Sequence, residues 1–186
     1  MLLGALGKAG AVPFHSWIPL AAEDAQSPFL ALFPAALEKI LGIGLAIRIV
    51  TQIYDVQPGS PVSTFVMIIG AVTLFIGVAM ALIQKDMKRL LSYHAISQVG
   101  YMILGVGSAL PIGIIGALFH MMNHVLYKSG LFLTAGAIEK RTGTTDLKVV
   151  SGLGKLMPVT AACFVVFGLA ISGFPGLNGF FSKELI

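Results

Sequence analysis

The chain has 186 residues, 56% of them hydrophobic and 11% charged, with one cysteine and a formal net charge of +4 at pH 7. Soluble domains carry about a quarter of their residues charged, so this composition excludes an ordinary water-soluble fold and points to an integral membrane protein. A single cysteine, Cys163, excludes a disulfide framework and any cysteine-based metal or iron–sulfur site.

In chain order, "MLLGALGKAGAVPF" has Lys8 in its middle and no clear cleavage pattern. It reads as the tail of a longer helix rather than a secretory signal, and residues 1–12 are too short to span a bilayer alone. Pro13 and Pro19 in "VPFHSWIP" predict that no regular helix runs through this stretch, which sets Lys8 beside irregular backbone. His15 and Trp17 look interfacial there, His15 as a hydrogen-bonder that fixes the loop. Residues 29–53 form an apolar span interrupted by Glu38, Lys39 and Arg48, and residues 62–84 form one with no charge at all. Further spans follow at 90–110 and 113–138, and the polar stretch 142–155 reads as a solvated connector, a helix lying along the membrane surface being the alternative. A last helix over 157–186 is expected to break near 174–178, where Pro175 and its flanking glycines stand. The expected fold class is therefore all-α, one polytopic transmembrane helix bundle over 1–186 with two broken helices, and both ends look cut from a longer chain.

Placed on these helices, segments 13–28, 85–89 and 139–156 fall on one side, with Lys85, Lys88, Arg89, Lys140, Arg141, Lys148 and Lys155. Segments 54–61 and 109–112 fall on the other and hold no Lys or Arg. The positive-inside rule makes the first side cytoplasmic, and the expected location is a prokaryotic cell (inner) membrane.

An ionisable group at the bilayer centre costs at least ~2.5–3.5 kcal/mol on insertion scales, so such groups usually face a protein interior and serve a pathway. Four places qualify: Lys8, Glu38–Lys39, the row His120, His124, Lys128, and Lys183–Glu184. Residues four apart share a helix face, so the row is a line about 12 Å long. Imidazole both gives and takes protons near physiological pH, which makes the row a plausible relay. The bland alternatives are histidines that only bond neighbouring helices and a Lys128 that snorkels to the interface. Zinc would find two ligands in His120 and His124 but no visible third, and haem would need His94 to face His124. Adjacent residues point about 100° apart around a helix, so Glu38 and Lys39 are each expected to seek partners on another helix, a static ion pair being the alternative for Lys39. In "QKDMKRLLSYHAISQVGYM" the lysines and Arg89 anchor the helix end, and His94 is a possible point of proton uptake.

The runs "GKAGAVPFHSWIPLA", "DMKRLLSYHAISQVGYM", "FHMMNHVLYKSGLFLTAGAI" and "GFPGLNGFFSKELI" together resemble, in order and over nearly the whole chain, one family. It comprises the antiporter-like membrane subunits of respiratory complex I, their relatives in membrane-bound hydrogenases, and the large subunits of multisubunit cation/proton antiporters. The resemblance implies the second half of a longer proton-translocating subunit. It implies that Lys8 is the central proton-accepting lysine of the first broken helix and that His120, His124 and Lys128 continue a hydrophilic axis. Lys183 would be the ionisable group of the second broken helix, where protons leave. Lys39 matches the family's connecting lysine less closely, one place early, and its "EKILGIGL" setting is nearer the hydrogenase and antiporter relatives. Glu38, His94 and Glu184 are secondary candidates. No cofactor is expected in this chain and no nucleic acid; redox chemistry would sit in other subunits, and the expected partners are those subunits and lipid. Sodium/proton antiport is the rival within transport, and a purely structural membrane module the rival outside it.

Overall fold

The structure, a computed structural model, describes Met1–Ile186 and is helical almost throughout. Nine α-helices follow in order: α1 (Leu2–Ala9), α2 (Trp17–Asp24), α3 (Ser27–Leu32), α4 (Glu38–Arg48), α5 (Pro61–Leu82), α6 (Met87–Gly107), α7 (Pro111–Thr142), α8 (Pro158–Ser172) and α9 (Asn178–Glu184). Two π-helical turns, Phe33–Leu37 and Ile49–Ile53, join α3 to α4 and extend α4, so Ser27–Ile53 is one interrupted 27-residue span. That span and α5 are each long and apolar enough to cross a membrane.

The starts of the long helices are written locally. Ser60 accepts a hydrogen bond from the Ser63 N–H at 3.2 Å and Asp86 one from the Arg89 N–H at 2.9 Å, each satisfying an orphan donor of the first turn. Proline opens α5, α7 and α8, where its missing N–H costs nothing. Pro19 lies in the first turn of α2. The expectation that it would interrupt the backbone is corrected: near the start of a helix proline leaves no bond unmade, and the irregular stretch ends at Ser16.

α6 is the central helix, buried on nearly all sides between α5, α7, α2 and α4. Its seam with α5 is made of glycines. A Cβ on Gly70 would stand 2.8 Å from the Leu104 nitrogen, and one on Gly107 2.8 Å from the Met67 nitrogen. Such close approach is how helices gain contact where lipid is as apolar as leucine. The outer faces are apolar: Phe75 and Leu82 on α5, Leu126 and Leu133 on α7, and Val159 on α8 are more than half exposed. The inner face of α7 instead buries His120, His124 and Lys128. An inside-out distribution of this kind suits a helix whose outer solvent is hydrocarbon.

The segments expected on one side do meet at one end of the bundle. Lys88 pairs with Glu139 at 2.9 Å and donates to the Ala25 carbonyl at 3.3 Å, and Arg89 pairs with Glu23 at 2.9 Å. The 143–157 connector is irregular and pinned to the α5–α6 turn: Met87 N–H donates to the Thr145 carbonyl and Leu147 N–H to that of Lys85, both at 2.9 Å, while the Thr145 hydroxyl bonds Asp86. At the opposite end the Ser63 hydroxyl donates to the Gly107 carbonyl at 2.6 Å.

Candidate functional site

Two helix breaks frame the site, and they are built alike. α1 ends in Gly10 at φ 79° and α8 in Gly173 at φ 82°, a left-handed conformation that a residue with a Cβ rarely adopts. In each, the N–H after the glycine reaches back across the last turn: Ala11 to the Leu6 carbonyl at 2.9 Å, Phe174 to that of Leu169 at 3.0 Å. A helix end still leaves carbonyls unpaired, and in both breaks a lysine takes one. Lys39 Nζ donates to the Ala9 carbonyl at 3.0 Å, and Lys183 Nζ to the Ile171 carbonyl at 2.6 Å. An ammonium at the negative end of a helix is the favourable sign.

Glu38 and Lys39 are ion-paired at 3.2 Å, each almost fully buried. This corrects the expectation that neighbours on a helix would look elsewhere for partners. Both side chains turn toward the Gly10 break, where a Cβ would stand 2.7 Å from Glu38 Oε1 and 3.3 Å from Lys39 Nζ. The break draws them together more than helix geometry holds them apart. Glu38 Oε2 has no partner.

Along α7 the row differs residue by residue. Lys128 and His124 are completely buried, and neither the Lys128 Nζ nor either ring nitrogen of His124 has a hydrogen-bond partner. Lys128 has the Phe132 ring below its ammonium at 5.8 Å, and His124 the Tyr127 ring, nearly perpendicular to it, at 5.6 Å between ring centres. Lys128 lies mid-helix with no exposure, so it does not snorkel. His120 is held on both sides, Nδ1 to the Ser182 hydroxyl at 3.0 Å and Nε2 to Gln98 Oε1 at 3.1 Å. The Tyr101 ring sits 5.9 Å from the His120 ring and 5.3 Å from Lys183 Nζ, bridging the two.

These groups lie near enough to act on one another through their charges. Lys128 lies within electrostatic reach of Lys39, His124 of Lys128, His120 and His94, and His120 of Lys183. The series therefore runs from the first break to the second: Glu38–Lys39, Lys128, His124, His120, Lys183. His94 lies beside it with Nδ1 buried and unpartnered. Lys8 is not brought into the row. It occupies an exposed face of α1 with its ammonium 5.6 Å from the Phe33 ring centre, and the site residue it reaches is Glu38. Glu184 is exposed too, apart from the row. No three His, Cys, Asp or Glu side chains gather as a metal-ligand set.

Residues that give no signal in the sequence fasten the second break to α7. Asn123 Nδ2 donates to the Asn178 carbonyl at 3.0 Å and Asn178 Nδ2 to Asn123 Oδ1 at 3.2 Å. Gln98, Ser182 and this amide pair follow no period. Their partners come from segments 22 to 62 residues away.

Comparison with known proteins gives the family. The profile of the family described as "NADH:quinone oxidoreductase/Mrp antiporter, TM" matches residues 1–186. The chain is 42% identical over 176 residues to one of the subunits of the Na(+)/H(+) antiporter of Alkalihalophilus pseudofirmus, covering 95% of this chain and 35% of the relative. It is 41% identical to hydrogenase-4 component B of Escherichia coli, covering 95% of this chain and 28% of the relative. Among solved structures, the Mrp complex of a Dietzia species superposes with a TM-score of 0.93 at 32% identity, over 99% of this chain and 34% of that one. Respiratory complex I of Thermus thermophilus gives 0.89 at 30% identity, over 99% and 39%. The chain thus spans about a third of the length of these relatives. It belongs to the NADH:quinone oxidoreductase/Mrp antiporter family of transmembrane subunits.

Proposed function

We propose that this chain carries the proton-conducting row of an ion-translocating membrane subunit, working within a redox-driven complex of the complex I or membrane-bound hydrogenase type in a prokaryotic cell membrane. The observation that carries the reading is the centre of the row, where Lys128 and His124 are fully buried and no other group of the chain hydrogen-bonds them. A side chain kept only for packing would be cheaper as a hydrocarbon. Lys128 and His124 keep no such bond within the chain, so exchange of a proton is the role left to them. Basic groups this close compete for protons, so a charge arriving at Glu38–Lys39 changes the affinity of Lys128, and the disturbance passes through His124 and His120 to Lys183. Protons are taken up from the cytoplasmic side, where segments 13–28, 85–89 and 139–156 meet, and are released beyond Lys183. The driving chemistry belongs to partner subunits. Lys8, exposed on α1, serves as the acceptor from whatever packs on that face.

A second reading, membership of a multisubunit Na+/H+ antiporter, is favoured by the 42% identity to an antiporter component and the 0.93 superposition on an Mrp complex. Against it stands the scarcity of oxygen ligands in the row, since Glu38 is its one carboxylate.

The test is replacement of Lys128, and separately Lys183, by Met in the assembled complex, with translocation followed in membrane vesicles by a pH-sensitive dye. Loss of acidification with unchanged subunit content is expected. Undiminished translocation in both variants, or failure of assembly with normal transport by what remains, overturns the reading in favour of a structural role. Sodium-dependent transport that stops in the same variants favours the antiporter.

A further inference from the structure

His120 differs from His124, one turn along the same helix, in having both ring nitrogens engaged. The polarity of those bonds follows from their neighbours. The Ser97 hydroxyl donates to the His94 carbonyl at 2.8 Å, so its single proton is used and its oxygen faces outward as an acceptor. The group facing it, at 3.4 Å, is the side-chain amide of Gln98. Only the NH2 end of that amide can bond a committed acceptor, so Oε1 must turn to the other side, where His120 Nε2 lies at 3.1 Å. An amide oxygen accepts and never donates, so Nε2 must carry the hydrogen. Nδ1 is then the bare nitrogen of the neutral ring; the Ser182 hydroxyl has two acceptors in reach, Nδ1 at 3.0 Å and the Gly179 carbonyl at 3.2 Å, and only donation to Nδ1 puts a proton in that shorter contact. The donors thus point one way through five groups on three helices: Ser182 to His120, His120 to Gln98, Gln98 to Ser97, Ser97 to the His94 carbonyl. Such a chain polarises its members and strengthens each bond.

From this geometry we infer that Gln98 is a positioning residue, which with Ser97 locks His120 as the Nε2–H tautomer and so turns its one basic nitrogen toward Ser182 and the second helix break. The consequence is directional. The Gln98 amide neither accepts nor releases a proton at accessible cost, so His120 gains and loses protons through Nδ1, on the side of Ser182 and the second break. The Gln98 side of the imidazole is closed. His124, with no clamp, exchanges at either nitrogen. Protons in the row are thereby turned toward Ser182 and the second break rather than toward Gln98. The transport consequence rests on the function proposed above; the tautomer itself does not.

The experiment uses the assembled complex with 15N-histidine incorporated in this subunit, read by solid-state NMR, the His120 resonances being assigned by their absence from a His120→Gln variant. The expected wild-type spectrum shows His120 as the Nε2–H form alone. Gln98→Met, which keeps length but offers no acceptor, should give a mixture of tautomers and a loss of proton translocation. Ser97→Ala, which frees the amide to turn over without touching His120, should give a smaller admixture. A wild-type Nδ1–H tautomer overturns the inference. So does an unchanged His120 spectrum in Gln98→Met, or a changed one with full translocation. Failure of the wider reading looks different: translocation would survive Lys128→Met whatever the state of His120.

Discussion

Lys39 and Lys128 are both wholly buried lysines in one membrane bundle, and they are treated in opposite ways. Lys39 has an ion-pair partner in Glu38 at 3.2 Å and a carbonyl at 3.0 Å. Lys128 has the face of a phenyl ring and no hydrogen-bonding group of the chain beside it. Burial alone therefore does not mark a transport group. Lys39 holds the α1 break together, so its charge serves structure and senses charge at the end of the row. Lys128 contributes nothing visible to the fold, so its retention needs a reason outside stability. The same contrast recurs in the histidines, where His120 is clamped and His124 is free.

Substitutions can break this comparison, and the largest effect should come at the clamped end. Glu38→Gln leaves the Lys39 ammonium buried with one carbonyl and should destabilise the assembled complex by ~3–5 kcal/mol, read as a fall in melting temperature in detergent. Lys183→Met frees the Ile171 carbonyl and loosens the second break. Because Lys183 is partly exposed, the loss should be at most ~1.5–3 kcal/mol, with proteolysis near Gly173–Asn178 accelerated. At the basic end, a double-mutant cycle on Lys88 and Glu139 should return ~0.2–1 kcal/mol that shrinks in salt, since the carboxylate is 36% exposed. Lys128→Met should have the smallest effect on melting, or raise it slightly, because no partner is lost. A large destabilisation there would erase the contrast with Lys39.

Much of this was legible in the residues, and the reasons differ by element. The helices and the His120–His124–Lys128 face follow from period and charge, which are local properties. The gathering of 13–28, 85–89 and 139–156 follows from chain direction and basic side chains. Two things were not legible. One was the Glu38–Lys39 pair, because helix geometry argues against it and the break at Gly10 decides it. The other was the network of Gln98, Ser182, Asn123 and Asn178, whose polar groups are ordinary until α9 folds back onto α7. Lys8 shows the opposite limit: its family position implies a central role, yet among these helices it lies on an open face. Which groups are clamped and which are free is settled by tertiary approach, and the proposed function turns on that distinction.

The most direct measurement is proton translocation by the assembled complex carrying Lys128→Arg. Guanidinium keeps the positive charge and does not give up its proton in proteins, so the variant separates charge from exchange. The account predicts that translocation stops while the complex still assembles; transport at the wild-type rate would contradict it.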